Sequence, residues 1–497
     1  MVNSFVWDLY LKSGGAELVL FFENQFTNKM TAEYLRRINE LQLTYVIEKE
    51  IIRDTTEQLE FVLRNVNDLT IEDYSPINPD TDIDEIIYGY MDELWNEYNR
   101  EYSSDQSVIL SEFLYRLILE STLACVNIPD VFVPYYFVKN YNVLEIISKE
   151  FDINLPPIPA KKDYKDRFYY YGEVCKALYR YRIDNDMSPF ELYAFLYDFA
   201  PKYIGGISSY IIEELPAPKS AFFIGGDGRN EDKLAEEDED GIFCWQCNPD
   251  TRAGDMIVMY LTSPISAISS VWRSCSVGFN DPFFYYYRCT YIGKPVRVKR
   301  IGLDKIKSDR TLGKMPIVSK NMQGINGVEL KPSEYNHIVE ISKADAVKLE
   351  YTANISEHEY ATEKEVEDSV IKPLLKKLGY NHDDYTQQLR LNVGNHNSLL
   401  IPDFVLLPFQ RGSYTSAYVV IEAKRSITKD DELQEALSQA VSYARQLGAK
   451  YAAVISQEKI WVTSEKDVYN DIIFDSTWTK LQDADEFMKL RKLLDKR

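Results

Sequence analysis

The chain has 497 residues, 45% hydrophobic and 27% charged, which is too long for one core and ordinary for a multidomain globular protein. No stretch approaches eighteen uncharged apolar residues, and MVNSFVWDLYLKSGG lacks the order of a secretory signal, so the expectation is a cytoplasmic protein with no membrane partner. Six cysteines make no disulfide framework, and a net charge of −22 with a pI near 4.8 opposes phosphate binding except where Lys and Arg cluster locally.

In chain order, residues 1–213 read as mostly helical, an assembly or regulatory domain. MTAEYLRRINELQLTYVIEKEIIRDTTEQLEFVLRNV (30–66) has apolar residues at three- and four-residue spacing, and 84–102 and 107–126 continue the pattern. Ser188-Pro189-Phe190-Glu191 is a helix start with Ser as N-cap, and ELYAFLYDFA follows as helix. The tyrosines here sit at helical spacing beside Leu and Ile, which favours core or interface packing over base stacking.

ELPAPKS (214–220) is a proline-bearing boundary and GGDGRNEDKLAEEDEDG (225–241) an acidic loop. DMIVMYLT, SAISSVWR, FFYYYRCTYI, KPVRVKRIGL and HIVEI then read as short strands, giving a small β domain over 220–345. From 359 a helix (EKEVEDSVIKPLLKKLGY), strands (QQLRLNVG, PDFVLL, YVVIEAKR), a helix (DELQEALSQAVSYARQLG) and strands (YAAVIS, KIWVT) make a third, α/β domain over 355–497. There are no internal repeats. The fold class expected is multidomain α+β.

Charge stands at the ends of two apolar runs of this third domain, in IPDFVLLPFQRGSYTSAYVVIEAKRS (401–426). Glu422 and Lys424 are two apart in a strand and point the same way. With Asp403 at the mouth of a neighbouring strand, two carboxylates can bind a hard cation such as Mg²⁺, and the lysine can orient water or offset charge on a phosphate. Exposed strand ends are the commoner meaning of such charges. Four features favour the site: apolar flanks, Gln439 and Tyr443 four apart on the next helix, an acidic helix upstream (Glu363, Glu365, Glu367), and the buried strand YAAVIS that follows.

The order TEKEVEDSVIKPLLKKLGY, IPDF, VVIEAKR, QAVSYARQLGAKYAAVIS resembles PD-(D/E)xK nucleases of the type found at the N-terminus of type I restriction enzyme R subunits. The resemblance spans roughly 360–465. It implies a restriction-endonuclease-like α/β fold with Asp403 and Glu422 as metal ligands, Lys424 as the catalytic lysine, and Gln439 and Tyr443 as the family's Q-x-x-x-Y along the DNA. Glu363 matches a further helical ligand by its register to Pro373, and Glu367 shares its face. Unlike those R subunits, the chain has no G-x-x-x-x-G-K-[ST] loop; Gly313-Lys314 is followed by Met and lacks the upstream glycine, so ATP is not expected.

FCWQCNPDTRAGDMIVMYLTSP, with Gly254-Asp255 entering a strand that ends in Tyr260, and the later IGLDKIKSDRTLGKMPIV and LKPSEYNHIVEI, resemble EVE members of the PUA-like superfamily. This implies a PUA-like β-barrel that binds nucleic acid, in several cases through a modified base in an aromatic pocket. Trp245, Tyr260, Trp272 and Phe283 are the candidate walls, and Arg297, Lys299, Arg300, Lys305 and Lys307 the candidate phosphate contacts. Core packing and plain solvation compete with both assignments. Cys244-x-x-Cys247 with Cys275 and Cys289 lacks a second C-x-x-C, so zinc is not expected. His337, His358, His382 and His396 are scattered and suggest no role.

The function expected is Mg²⁺- or Mn²⁺-dependent endonucleolytic hydrolysis of DNA, modified or not, by a homodimer or higher homo-oligomer in restriction or antiviral defence. The alternatives are an RNA-directed nuclease and a nucleic-acid-binding sensor with an inactive nuclease-like domain.

Overall fold

The computed structural model describes residues 3–66, 77, 81–102, 105–228, 241–392, 399–411, 414–464 and 471–496. The acidic loop, from 229 to 240, and His396 lie outside the described residues. The chain is mixed α+β and divides into two compact units, Met1–Glu329 with Ser342–Ala346, and Leu330–Ile341 with Val347–Arg497.

The first unit opens with an all-helical region. The stretch 30–66 forms two helices, Ala32–Gln42 and Lys49–Val66, rather than one. Tertiary partners claim the residues between them: the Thr44 carbonyl accepts from the Ile207 amide, and Glu48 accepts from Lys139 Nζ at 3.0 Å and from the Cys244 amide. The stretch 107–126 is likewise divided at Arg116, whose backbone leaves the helical range. Ser188 caps Pro189–Ala194 through a complete capping box with Glu191. The tyrosines close the core: Tyr34 meets Tyr136 at 2.6 Å, Tyr141 meets Tyr170 at 2.7 Å, and Tyr193 donates to the Pro129 and Phe132 carbonyls. A buried hydroxyl so paired leaves its ring free to act as apolar mass.

A seven-stranded sheet follows, made of β1 (Ala221–Gly226), β2 (Phe243–Gln246), β3 (Met256–Leu261), β4 (Ala267–Ser274), β5 (Phe279–Asn280), β6 (Arg288–Gly302) and β7 (Val328–Leu330). Its order is β2-β6-β4-β3-β1-β7, with β5 beside β6. β1 and β3 are parallel, and register shifts interrupt the β3–β4 and β4–β6 pairings, which bends the sheet. Gly254 enters β3 with φ +89°, and a Cβ there would stand 2.4 Å from the Pro216 carbonyl. Buried Asp255 beside it accepts from the amides of Lys219, Ser220 and Arg252.

The sheet and the helical region share one core, contrary to the boundary expected at 214–220. Cys244, Cys275, Phe279, Phe283, Cys289 and Tyr291 belong to the same buried cluster as the helices. Tyr291 reaches Asn140 and Asn142 through its hydroxyl, and Arg167 of the helix Tyr164–Asp184 donates to the Pro282 and Phe284 carbonyls. HIVEI is helix, not strand: Pro332–Ser342 buries Tyr335, Ile338 and Val339 at three- and four-residue spacing, and most of it belongs to the second unit.

In the second unit β8 (Tyr385–Gln387), β9 (Leu391–Asn392), β10 (Leu399–Leu400), β11 (Phe404–Leu406), β12 (Phe409–Arg411), β13 (Tyr414–Ser416), β14 (Val419–Ala423), β15 (Tyr451–Ile455), β16 (Lys459–Ser464) and β17 (Ile472–Thr477) follow in order. The main sheet runs β17-β16-β15-β14-β11-β8 and is antiparallel except for the central β14–β15 pair. The helix Asp430–Leu447 connects these two parallel strands and buries Leu437, Ala440, Val441 and Ala444 against Val405, Val420 and Val454. The helix from Glu363 to Lys377 packs Val366, Val370, Leu374 and Leu375 against Phe404, Ile421 and Ala453 on the other face. It contains a wide π-turn, Glu367–Ile371, just before Pro373, whose missing N–H forbids the regular bond to residue 369.

Candidate active site

The end of β14 and the start of β11 meet in the middle of the second sheet, because Phe404 pairs with Ile421. That register puts Asp403, one residue before β11, beside the exit of β14. Asp403 Oδ2 accepts from the Ala423 amide at 2.7 Å, which fixes its carboxylate between Glu422 and Lys424 in the chain. Glu422 is only 3% exposed. Its Oε1 accepts from Lys424 Nζ at 2.6 Å, its Oε2 is buried without an N–H or hydroxyl donor, and the carboxyl groups of Glu422 and Asp403 stand within hydrogen-bonding reach of each other.

Electrostatics follow from this crowding. Burial, then the neighbouring charge of Asp403, pushes the Glu422 carboxyl up to about 7. Burial raises Asp403 as well, against the Ala423 hydrogen bond and Lys424. Burial pulls on the Lys424 ammonium in the opposite sense, but Glu422, Glu363 and Asp403 together hold it above the ordinary lysine value. Glu363 starts its helix at the exposed end; partial desolvation lifts it, Lys424 opposes, and Asp403 and Glu367 add to the rise.

Glu367 is 5% exposed and accepts from Lys364 Nζ at 2.8 Å and Gln387 Nε2 at 3.1 Å. Gln387 was missed from sequence: it stands on β8, opposite Phe404, and only that pairing brings it to the acidic helix. Gln439 Nε2 donates to Tyr443 Oη at 2.9 Å along one face of Asp430–Leu447.

Among the described residues, no group of three or more His, Cys, Asp or Glu side chains is gathered to hold a metal ion. Asp403 and Glu422 nevertheless suit a hard cation as a pair. An acceptor oxygen buried without a donor beside a second carboxylate is costly as it stands, and a divalent cation on oxygen ligands relieves both the desolvation and the repulsion.

The four aromatic residues read as pocket walls are not brought together. Trp272 is 1% exposed, packs edge-on against Phe243 and donates to Ser270 Oγ at 2.8 Å. Phe283 lies in the core shared with the helices, 4.4 Å from Tyr135 and 5.6 Å from Tyr170 between ring centres. Trp272 thus packs within the sheet's own core, with Phe222, Ile257 and Ile292, while Phe283, in the loop between β5 and β6, packs against the helices. Tyr260 does line a cavity of about 530 Å³, together with Gly225, Gly226, Tyr286, Leu303 and Asn326. Trp245 is half-buried, does not line the cavity, and donates to the carbonyl of the lining residue Gly225 at 3.0 Å. Tyr286 is 47% exposed and was missed, since nothing in FFYYY separates the ring that faces the core from the one that faces the cavity. Arg297, Lys299 and Arg300 are exposed on β6, and Lys305 and Lys307 on the helix Leu303–Ser308 that continues from the cavity wall. The thiols Cys244, Cys247, Cys275 and Cys289 are all free and buried.

No family model matches this chain, and no curated protein matches it. Among solved structures, the NMR structure of Rpa0253 from Rhodopseudomonas palustris is similar to it with 13% identity and a TM-score of 0.21, over 25% of this chain and 93% of that one. No described helix is long and apolar enough to cross a membrane.

Proposed function

We propose that the second unit is a PD-(D/E)xK nuclease domain that hydrolyses DNA phosphodiester bonds with Mg²⁺ or Mn²⁺, and that the sheet of the first unit is a PUA-like reader that selects the DNA. The observation that carries the reading is the orphaned, buried Glu422 Oε2 beside Asp403, with Lys424 on the other oxygen of the same carboxylate. Asp403 and Glu422 would hold the cation, with Glu363 and Glu367 on the acidic helix both close enough to act on Asp403. When bound, the cation supplies Lewis-acid polarisation of the scissile phosphate and activation of water.

The chain's own residues do the rest. Lys424, kept cationic by its three acidic neighbours, offsets charge developing on the phosphate. The Ala423 amide keeps Asp403 aimed at the strand end, and Gln439 and Tyr443 form a polar face for the DNA backbone. In the first unit, Tyr260 and Tyr286 line a cavity of a size to take an extruded base, and the basic residues that follow Leu303 suit the flanking phosphates. One such domain holds one active site, so a cut through both strands calls for a homodimer. Defence against foreign DNA in the cytoplasm is the role that fits.

The test is cleavage of plain and base-modified phage DNA and of matched RNA, with Mg²⁺, by wild type, Asp403→Ala and Lys424→Ala. Cleavage of DNA that both substitutions abolish is the expected result. Absence of Mg²⁺-dependent cleavage leaves a binding protein, preference for RNA overturns the DNA assignment, and equal cutting of both DNAs removes the modified-base reader alone.

A further inference from the structure

The turn between β15 and β16 has no part in the chemistry above, yet it is bonded to both sides of the acidic site. β14 and β15 lie parallel with Ala423 opposite Ile455, and the Lys424 amide donates to the Ile455 carbonyl at 2.9 Å. The next three residues, Ser456, Gln457 and Glu458, close the hairpin beside the exit of β14. The Glu458 carboxylate accepts from Ser426 Oγ, the Ile427 amide, Ser456 Oγ and Gln457 Nε2. Burial works against its charge, but those donors hold the carboxyl below its ordinary value, so Glu458 is an ionised anchor for the chain just after Lys424.

Gln457 extends the anchor to the other wall. Its amide donates to the Arg425 carbonyl at 3.3 Å, next to Lys424, and its Oε1 accepts from the Tyr360 amide at 2.8 Å. Tyr360 comes two residues before Thr362, the N-cap of the helix that starts with Glu363. The turn itself is fixed from below, because Trp478, fully buried, donates from Nε1 to the Ser456 carbonyl at 3.0 Å. One residue therefore spans the two walls, its backbone N–H bonded to the chain just after Lys424 and its side chain to the segment that delivers Glu363.

We propose that Gln457, braced by Glu458, is a positioning residue that sets the spacing between Lys424 and the acidic helix. The inference rests on the nuclease reading and adds to it a residue that touches neither substrate nor cation. Misplacement of a catalytic group by a fraction of an ångström to an ångström lowers turnover without changing how substrate is held elsewhere.

The experiment is a double-mutant cycle in the full chain. Gln457→Ala removes the acceptor, Tyr360→Pro removes the amide donor together with the ring that packs against His358, and the third variant combines them. Each is assayed for kcat and KM on the DNA that wild type cuts, for Mn²⁺ binding by calorimetry, and for its melting temperature. The expected result is a kcat about tenfold lower in either single variant, with KM unchanged, Mn²⁺ bound several-fold more weakly, and the double variant no worse than the singles. Additive losses, a change in KM alone, or a loss that follows only the melting temperature would overturn the proposal while leaving the nuclease reading intact. Wild type that neither cuts nor binds Mn²⁺ defeats both together.

Discussion

Glu422 gives one carboxylate oxygen to the Lys424 ammonium at 2.6 Å and keeps the other buried without an N–H or hydroxyl donor. Burial and Asp403 raise its carboxyl from 4.5 to about 7, so the folded chain holds this proton more tightly than the unfolded chain does. The stability it contributes is complete below about pH 4.5 and is lost as pH rises through about 7. Glu422→Gln is therefore expected to melt several degrees above wild type at pH 8 without divalent cations, the order of 3 kcal/mol at most, and to lose that advantage near pH 5. Mg²⁺ should raise the melting temperature of wild type and not of the variant, which no longer cleaves. Scanning fluorimetry at both pH values checks this; a variant that melts lower at pH 8 contradicts the buried-charge account.

Gln439 and Tyr443 are hydrogen-bonded to each other, so each holds the other's orientation. Tyr443→Phe leaves the ring packed and removes only the hydroxyl, at a stability cost of about 1 kcal/mol or less. On the nuclease reading, Gln439→Ala and Tyr443→Phe should lower kcat/KM for DNA several-fold, and about equally. Fluorescence anisotropy with an uncut duplex in Ca²⁺ measures the binding part. A large effect from only one of the two would show that they do not act as a pair.

The acidic site was legible in sequence because its parts are local: Glu422 and Lys424 are two apart on one strand, and Gln439 and Tyr443 are four apart on one helix. Asp403 needed only the assumption of an antiparallel neighbour, which the Phe404–Ile421 pairing supplies. Gln387 and Gln457 were not legible, since Gln387 reaches the site by the β8–β11 pairing and the turn of Gln457 by the parallel β14–β15 pairing. The candidate pocket walls misled for a different reason. Trp272 and Phe283 have the composition of a cage, but strand alternation does not say whether Trp272 faces a cavity or the sheet's own core, and nothing local says that the loop carrying Phe283 packs on the helices. The same sharing hid the boundary: ELPAPKS breaks local structure without ending a hydrophobic core.

Tyr260 and Tyr286 line one cavity, while Trp272 and Phe283 are packed elsewhere. Tyr286→Ala is expected to leave the melting temperature within about a degree, because the ring is half exposed, and to weaken preference for base-modified DNA by roughly tenfold, the order of one stacking contact. Phe283→Ala should instead cost about 3–5 kcal/mol of stability, with no separate effect on preference among folded molecules. Competition binding of modified and plain duplexes, set beside urea unfolding, distinguishes the two. A discrimination loss in Phe283→Ala greater than that in Tyr286→Ala would argue for a different pocket.

Asp281 is fully buried where the sheet of the first unit meets its helices. Its Oδ1 accepts from the Phe283 amide at 2.8 Å, and its Oδ2 has no partner. Burial raises the carboxyl from 3.8 to about 7, although the Phe283 and Tyr141 amides and the Arg167 guanidinium all favour the charged form. The folded state again holds the proton more tightly, so the contribution of Asp281 is intact below about pH 4 and is lost as pH rises through about 7. Asparagine keeps the acceptor for Phe283 and cannot ionise. Relative to wild type, Asp281→Asn should gain stability from about pH 4 to about pH 7 and level off above it, by roughly 4 kcal/mol at the most over the full titration. Urea unfolding at several pH values gives the difference directly. The loop 281–287 is bonded to the helix Tyr164–Asp184 by Arg167, so in wild type the loss at high pH should appear first as faster amide exchange at Phe283 and Phe284. A difference between the two proteins that stays constant with pH would mean that Asp281 remains ionised, with a partner supplied by solvent.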